Sequence, residues 1–198
     1  MLAGSHIPLL DVLAVTNDAR ASEQLQVALN GDYVVHEISD TPDQFIRASS
    51  ALKRDILVIV KDAIDLTYLE QIRSFIQKSP TPVMIFVKAD PDRLAPIAIR
   101  YGITSFIVAG FEASRVPTLI EVTLERFKLH EALRNEVLKS QEELATRKVI
   151  ERAKGLLMEK KNLNEQEAYR SLRELAMRQS KPLKEVAETL ILYSDILP

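Results

Sequence analysis

The sequence predicts an α/β domain followed by an all-helical domain, and three observations carry that expectation. Short apolar runs alternate with helically spaced segments from Asp11 to Val108. A pattern of strong helix formers then extends from Pro117 to Lys161, with Gly155 as its only glycine. Two shorter helical segments with capping signals close the chain. Alternation of the first kind argues for a doubly wound parallel sheet, because parallel strands are joined by helical crossovers. The expected divisions are 1–117 for the α/β domain, 118–145 for a connecting helix and 146–198 for the helical domain.

Asp11 to Thr16 is the first strand candidate, and a helix follows from about Arg20 to Leu29, with Ala21, Leu25, Ala28 and Leu29 on one side. Asn30-Gly31-Asp32 stops that helix, since glycine tolerates the left-handed cap conformation. Tyr33 to Ile38 is a second strand. Ile56-Leu57-Val58-Ile59-Val60 is a continuous apolar run rich in β-branched residues, as expected of a strand buried on both faces. Leu66 to Ile76 reads as a helix, Pro82 to Val87 as a fourth strand, Asp92 to Tyr101 as a helix closed by Gly102, and Ser105 to Val108 as a fifth strand.

Such β/α units in about 120 residues resemble a response-regulator receiver domain, a flavodoxin-like fold. That resemblance implies an acidic pair after the first strand, a phospho-accepting aspartate ending the third, a hydroxyl after the fourth and a lysine after the fifth. Carboxylates would hold Mg²⁺ through hard oxygen ligands, the aspartate would be the nucleophile, and the lysine would stabilise the acyl phosphate. Here those positions fall on Thr16 and Asn17, Val60, Val87 and Ala109, with Asp18 the only carboxylate near the first pair. Valine cannot accept a phosphoryl group, so a degenerate pocket is expected. Asp62 stands as the alternative acceptor, because it shares a strand face with Val60. No catalytic constellation replaces the lost one: His6, His36 and His130 are scattered, and no glycine-rich phosphate loop occurs. No enzyme activity, cofactor or metal is expected.

The chain has 198 residues, 46% apolar and 27% charged, which suits soluble domains with real cores. It contains no cysteine, which excludes disulfides and thiolate metal sites. No apolar run is long enough to span a membrane, and the first ten residues lack the features of a secretory signal, so a cytoplasmic protein is expected. The net charge of −2 is unevenly spread. Residues 1–125 carry −5 and residues 126–198 carry +3, while Arg147 to Lys184 alone hold 11 basic and 5 acidic residues, or +6. Such asymmetry points to an acidic partner for the C-terminal part, nucleic acid being the common case.

The helical pattern from Pro117 to Lys161 is too long for one globular domain. Leu133, Val137, Ser140 and Leu144 follow a four-three-four spacing, so a dimerising coiled coil is expected. Beyond it, Asn164 and Glu167 have the spacing of a capping box, and Ala168, Leu172, Leu175 and Ala176 form a buried stripe. Ser180 is expected to cap a third helix with Pro182 in its first turn and Leu183, Val186, Ala187, Leu190 and Ile191 on its apolar face. Gly155 in mid-helix suggests another helix packing closely there.

The stretch Thr146-Arg147-Lys148-Val149-Ile150-Glu151-Arg152-Ala153-Lys154-Gly155-Leu156-Leu157-Met158 resembles the opening helix of ANTAR domains. Glu167 to Met177 is similar to their second helix, and Val186-Ala187-Glu188 to their third. The resemblance covers roughly residues 140–192. It implies an antitermination regulator that binds stem-loops in nascent RNA. The layout resembles the nitrate- and nitrite-assimilation members (NasT-like) more than the amidase-operon members (AmiR-like). It therefore implies a periplasmic-binding-protein-like cytoplasmic nitrate sensor as a partner that holds the protein inactive.

The residues support a nucleic-acid face independently. Arg147, Lys154 and Lys161 recur every seven residues on one helix stripe, expected to flank the apolar side made by Ile150, Ala153 and Leu157. Arg170 and Arg173 lie off the buried stripe of the next helix, and Arg178 and Lys181 cluster with Lys184 at the following junction. Basic side chains of this kind position phosphates, whereas base recognition needs unstacked loops. Tyr169 is a candidate for stacking on a base or for the rim of the core. A DNA-binding helical unit and a protein-interaction adaptor are the alternatives, and the motif resemblance favours RNA.

Overall fold

A computed structural model describes residues 9–38, 54–90 and 92–193. The chain divides into two compact units, residues 1–130 and 131–198. The first is built on strands β1 (Leu10–Thr16), β2 (Tyr33–Ile38), β3 (Ile56–Lys61), β4 (Val83–Val87) and β5 (Ser105–Val108). Its helices are α1 (Ala19–Ala28), α2 (Leu66–Lys78) and α3 (Ala95–Arg100). A 3₁₀ turn, Ala113–Arg115, leads into α4 (Val116–Lys161); α5 (Glu165–Gln179) and α6 (Leu183–Leu192) follow. His6 and the connection over residues 39–53 lie outside the described residues.

The strands form one parallel sheet in the order β2-β1-β3-β4-β5. β3 is the apolar run that the sequence marks as buried on both faces, and residues 56–60 are all buried, as are residues 83–87 of β4. Alternate residues feed two cores, because successive side chains leave opposite faces of a strand. Leu13, Leu57, Ile59 and Ile85 pack with Leu69, Ile72 and Phe75 of α2 and Ala98 of α3. Val12, Val58, Met84 and Phe86 pack with Leu25 of α1 and with Val116 and Ile120, which begin α4.

The expected helix over Asp92–Tyr101 is narrower. The carboxylate of Asp90 accepts hydrogen bonds from the Leu94 and Ala95 amides at 2.7 and 3.1 Å, which holds the preceding turn out of the helix.

In the second unit, Ala153 and Leu157 of α4 pack with Ala168, Leu172 and Ala176 of α5 and with Val186 and Ala187 of α6. Two expectations change here. Ser180 ends α5 instead of capping α6: it sits in the left-handed region at φ 52°, and its amide reaches back to the Ala176 and Met177 carbonyls. Pro182 occupies the N-cap position of α6 without a side-chain hydrogen bond. Gly155 is exposed, and a Cβ added there would meet no atom within 4 Å. No helix of the described chain packs on it, although glycine costs a helix about 1 kcal/mol relative to alanine.

Candidate nucleic-acid interface

Asn164 fixes the entry to α5. Its side chain accepts from the Glu167 amide at 3.0 Å, and the Glu167 carboxylate accepts from the Asn164 amide at 2.9 Å, the reciprocal capping box expected from the sequence. That corner sets the basic residues of α4 and α5 on one small scaffold. Arg147, Lys161, Arg170 and Arg173 are exposed, and none makes an ion pair with a carboxylate among the described residues. Arg178 and Lys181 are differently placed. Arg178 lies 3.7 Å from Glu174, and Lys181 lies 2.7 Å from Glu185, so part of their charge is already balanced.

Lys154 departs from its expected position. It is only 7% exposed, lying within the packed side of α4 instead of on its open flank. Its ammonium donates to Glu165 at 2.7 Å and lies 2.9 Å from Glu151. These bonds, with Glu165 first, raise the Lys154 pKa above its ordinary value against the opposing effect of desolvation. In return, Lys154 lowers the Glu165 carboxyl below its usual range. Glu165 is the first residue of α5, so this ion triad ties α4 to the start of α5. Two helices packed on α4 bury a wider arc than the one read from Ile150, Ala153 and Leu157, and Lys154 falls inside it. Glu165 was not visible as its partner, because a contact across a helix corner leaves no periodic signal.

A groove lies between α4 and α5, lined by Lys139, Glu142, Glu143, Arg147, Ile150 and Tyr169 among others. Tyr169 is 44% exposed, while its neighbour Ala168 is buried. A flat aromatic wall beside a free guanidinium can stack an unpaired base and hold its phosphate.

In the first unit, parallel register sets Thr16 beside Val60, Lys61 beside Val87 and Val87 beside Val108. The strand ends therefore converge on a cleft at the switch point between β1 and β3, where ligands of such sheets bind. Asn17, Asp18 and Val60 line this cleft with Arg20, Lys61, Asp62, Lys88 and Phe111; Thr16, Val87 and Ala109 are not in its lining. Asp18 caps α1, accepting from the Arg20 and Ala21 amides at 2.9 and 3.4 Å. Asp62 follows the end of β3, is largely exposed, and pairs with Lys88 at 2.6 Å. That bond, followed by Coulomb attraction, raises the Lys88 pKa. The Lys61 ammonium sits 4.1 Å from the centre of the Tyr68 ring. Ala109 adopts φ 81°, a strained conformation for a residue with a Cβ. Sequence reading missed Lys61 and Lys88, whose side chains follow the strand positions that a receiver would use. Among the described residues, no group of three His, Asp or Glu is placed to hold a metal ion. No helix among them is long and apolar enough to cross a membrane.

Residues 139–191 match the ANTAR domain family. The C-terminal unit carries an ANTAR domain. Arg147, Lys154, Lys161, Arg170, Arg173, Arg178 and Lys181 all fall within the matched ANTAR region. Over 114 residues the chain is 32% identical to the transcriptional regulatory protein PdtaR of Mycobacterium tuberculosis, covering 58% of this chain and 56% of that protein. The chain thus spans little more than half the length of the curated relatives it matches.

Solved structures extend the likeness in fold. Full-length FixJ from B. japonicum has a TM-score of 0.52 at 18% identity, covering 96% of this chain and 98% of that one. NtrX from Brucella abortus has a TM-score of 0.53 at 20% identity over 65% of this chain and 29% of its own. The signal receiver domain of a diguanylate cyclase from Desulfovibrio desulfuricans G20 gives 0.52 at 19% identity, over 62% and 99%. The first unit has the flavodoxin-like fold of receiver domains.

Proposed function

We propose that this chain is a non-enzymatic, cytoplasmic regulator of transcription antitermination that binds stem-loops in nascent RNA through its ANTAR domain. The observation that carries this reading is the ANTAR match over residues 139–191, on which Arg147, Lys161, Arg170 and Arg173 stand exposed without carboxylate partners. These four neutralise RNA phosphates. Arg178 and Lys181 add weaker contacts, because each must first leave a glutamate. Lys154 acts as a positioning residue that fixes α5 against α4. Tyr169 and Arg147 hold one unstacked base of the loop in the groove between those helices.

Control by a partner protein suits the receiver-fold unit better than phosphoryl transfer. Val60 stands where the acceptor aspartate is expected, and the Asp62 carboxylate is engaged by Lys88. A nitrate sensor is the partner that the sequence resemblance implies. The chain acts as a homodimer through α4, whose Leu129, Leu133, Val137 and Leu144 are each more than half exposed.

The experiment is selection of stem-loops from a random-loop RNA library by the full chain, then transcription on a template carrying the selected element before a terminator. Increased read-through with the protein present supports the reading. Failure to enrich any stem-loop, together with tight binding to duplex DNA, overturns it.

A further inference from the structure

RNA binding makes no use of the cleft at the strand ends of the first unit. Its volume is about 820 Å³, within the span of about 300–1,000 Å³ usual for sites that hold small organic ligands. Its walls come from elements on either side of β3. Arg20 and Gln24 follow β1, Lys88 follows β4, and Val60 and Lys61 end β3 between them. Phe111 reaches the cleft from an uncommon backbone: Ala109 and Gly110 both have positive φ, 81° and 91°, and the Gly110 amide donates to the Val87 carbonyl at 3.0 Å. The Phe111 ring then packs edge-on against Phe86, with 5.4 Å between centroids. Strain at a residue with a Cβ persists only where the surroundings impose it, and it concentrates where ligands are clamped.

The lining carries three cations, Arg20, Lys61 and Lys88, against two carboxylates, Asp18 and Asp62, a balance of +1. Both carboxylates are engaged, Asp18 by the Arg20 and Ala21 amides and Asp62 by Lys88. The Arg20 guanidinium makes no ion pair among the described residues. Lys88 and Asp62 are 65 and 78% exposed, and pairs so exposed contribute little, so the ammonium can turn to a bound anion at small cost. Val60 and Phe111 add hydrocarbon to the same cleft.

We infer that this cleft binds a small organic monoanion, a carboxylate carried on a flat apolar body, non-covalently and without Mg²⁺. The carboxylate pairs with Arg20 in the bidentate geometry that a guanidinium offers, with Lys88 beside it. The apolar body lies against Val60 and Phe111. One net positive charge matches one negative charge, whereas a second negative charge on the ligand would be repelled by Asp18 and Asp62. The site is independent of the RNA face, and it gives the receiver-fold unit a ligand in place of a phosphoryl group.

Saturation-transfer NMR titrations of the full chain in EDTA test this with benzoate, acetate, benzyl alcohol and phenylphosphonate. Benzoate should bind saturably. Acetate lacks the ring, benzyl alcohol lacks the charge and phenylphosphonate carries more than one, so each should bind more weakly. Arg20→Ala and Lys88→Gln should each weaken benzoate about two- to fivefold, as expected for exposed charge pairs. Both side chains are exposed, so the thermal melt should stay near that of the parent. Arg147→Ala, in the ANTAR domain, should bind benzoate as the parent does. Absence of saturation below about 10 mM, the weak end of measurable affinity, overturns the inference. So does benzoate binding that requires Mg²⁺, that survives both cleft substitutions or that is lost in Arg147→Ala, and so does tighter binding of phenylphosphonate.

Discussion

Replacing Arg147 by alanine separates phosphate binding from mere surface charge. Arg147 is exposed, lines the groove beside Tyr169, and has no carboxylate partner among the described residues. Each phosphate contact on single-stranded RNA or a duplex steepens the dependence of log K on log salt by about 0.7 to 0.9. Four unpaired cations, Arg147, Lys161, Arg170 and Arg173, therefore predict a slope of about −3 to −3.5 for the intact protein. Losing one of them should flatten the slope by about 0.7 to 0.9 and weaken binding roughly four- to fivefold near 0.15 M salt. Alanine is the best helix former, so the fold should be unaffected. Lys154→Met provides the contrast: its charge is already taken by Glu165 and Glu151, so the slope should stay while the melting temperature falls. Fluorescence anisotropy with a labelled stem-loop at several salt concentrations reads both slopes. An unchanged slope in Arg147→Ala, or a flattened one in Lys154→Met with an unshifted melt, would refute the assignment.

Other outcomes follow from the same structure. Acetyl phosphate with Mg²⁺ should leave no stable phosphoryl adduct, and intact-mass measurement showing one on Asp62 or Asp18 would contradict the degenerate cleft. Leu172 is fully buried, so Leu172→Ala should cost the helical unit about 3 kcal/mol. At about 4–8 °C per kcal/mol for a domain of this size, its circular dichroism melt should drop by more than about 10 °C. A shift within a few degrees would mean that α5 is not held by this core. The triad of Lys154 also sets a pH dependence. Lowering the Glu165 pKa gives stability that is present above its ordinary value of 4.5 and lost as pH falls through the lower folded value. Raising the Lys154 pKa gives stability that is present below 10.5 and lost as pH rises through the higher folded value. Between those limits, Glu165→Gln should lower the melting temperature by a constant amount, and a difference that varies across pH 6–8, roughly the physiological window, would point to another group.

Much of the fold was legible because its signals are local. Tyr33–Ile38 and Ser105–Val108 form strands with the bounds that periodicity gives, and Asn164 with Glu167 forms the capping box that its spacing announces. What escaped depends on contacts between distant residues. The sequence shows Lys154 every seven residues from Arg147 and Lys161, yet burial beneath α5 and pairing with Glu165 depend on how two helices meet. Ser180 reads as a cap for the helix after it, while its left-handed backbone ends the helix before it. Gly155 reads as a packing glycine, but open space surrounds it. In the receiver-fold cleft, Val60 was visible as a missing acceptor. Lys61 and Lys88 were not, because the family pattern directs attention to the positions just before them.

RNA recognition by the ANTAR domain is tested most directly by one comparison: anisotropy of the full chain with a stem-loop RNA taken from selection, beside duplex DNA of equal length and charge, in the same salt series. The account predicts that the stem-loop binds well over tenfold tighter in about 0.15 M salt, and that RNA affinity drops sharply when the loop is closed into a continuous duplex. Equal affinity for the stem-loop, the closed RNA duplex and the DNA would leave only nonspecific electrostatic binding and would contradict it.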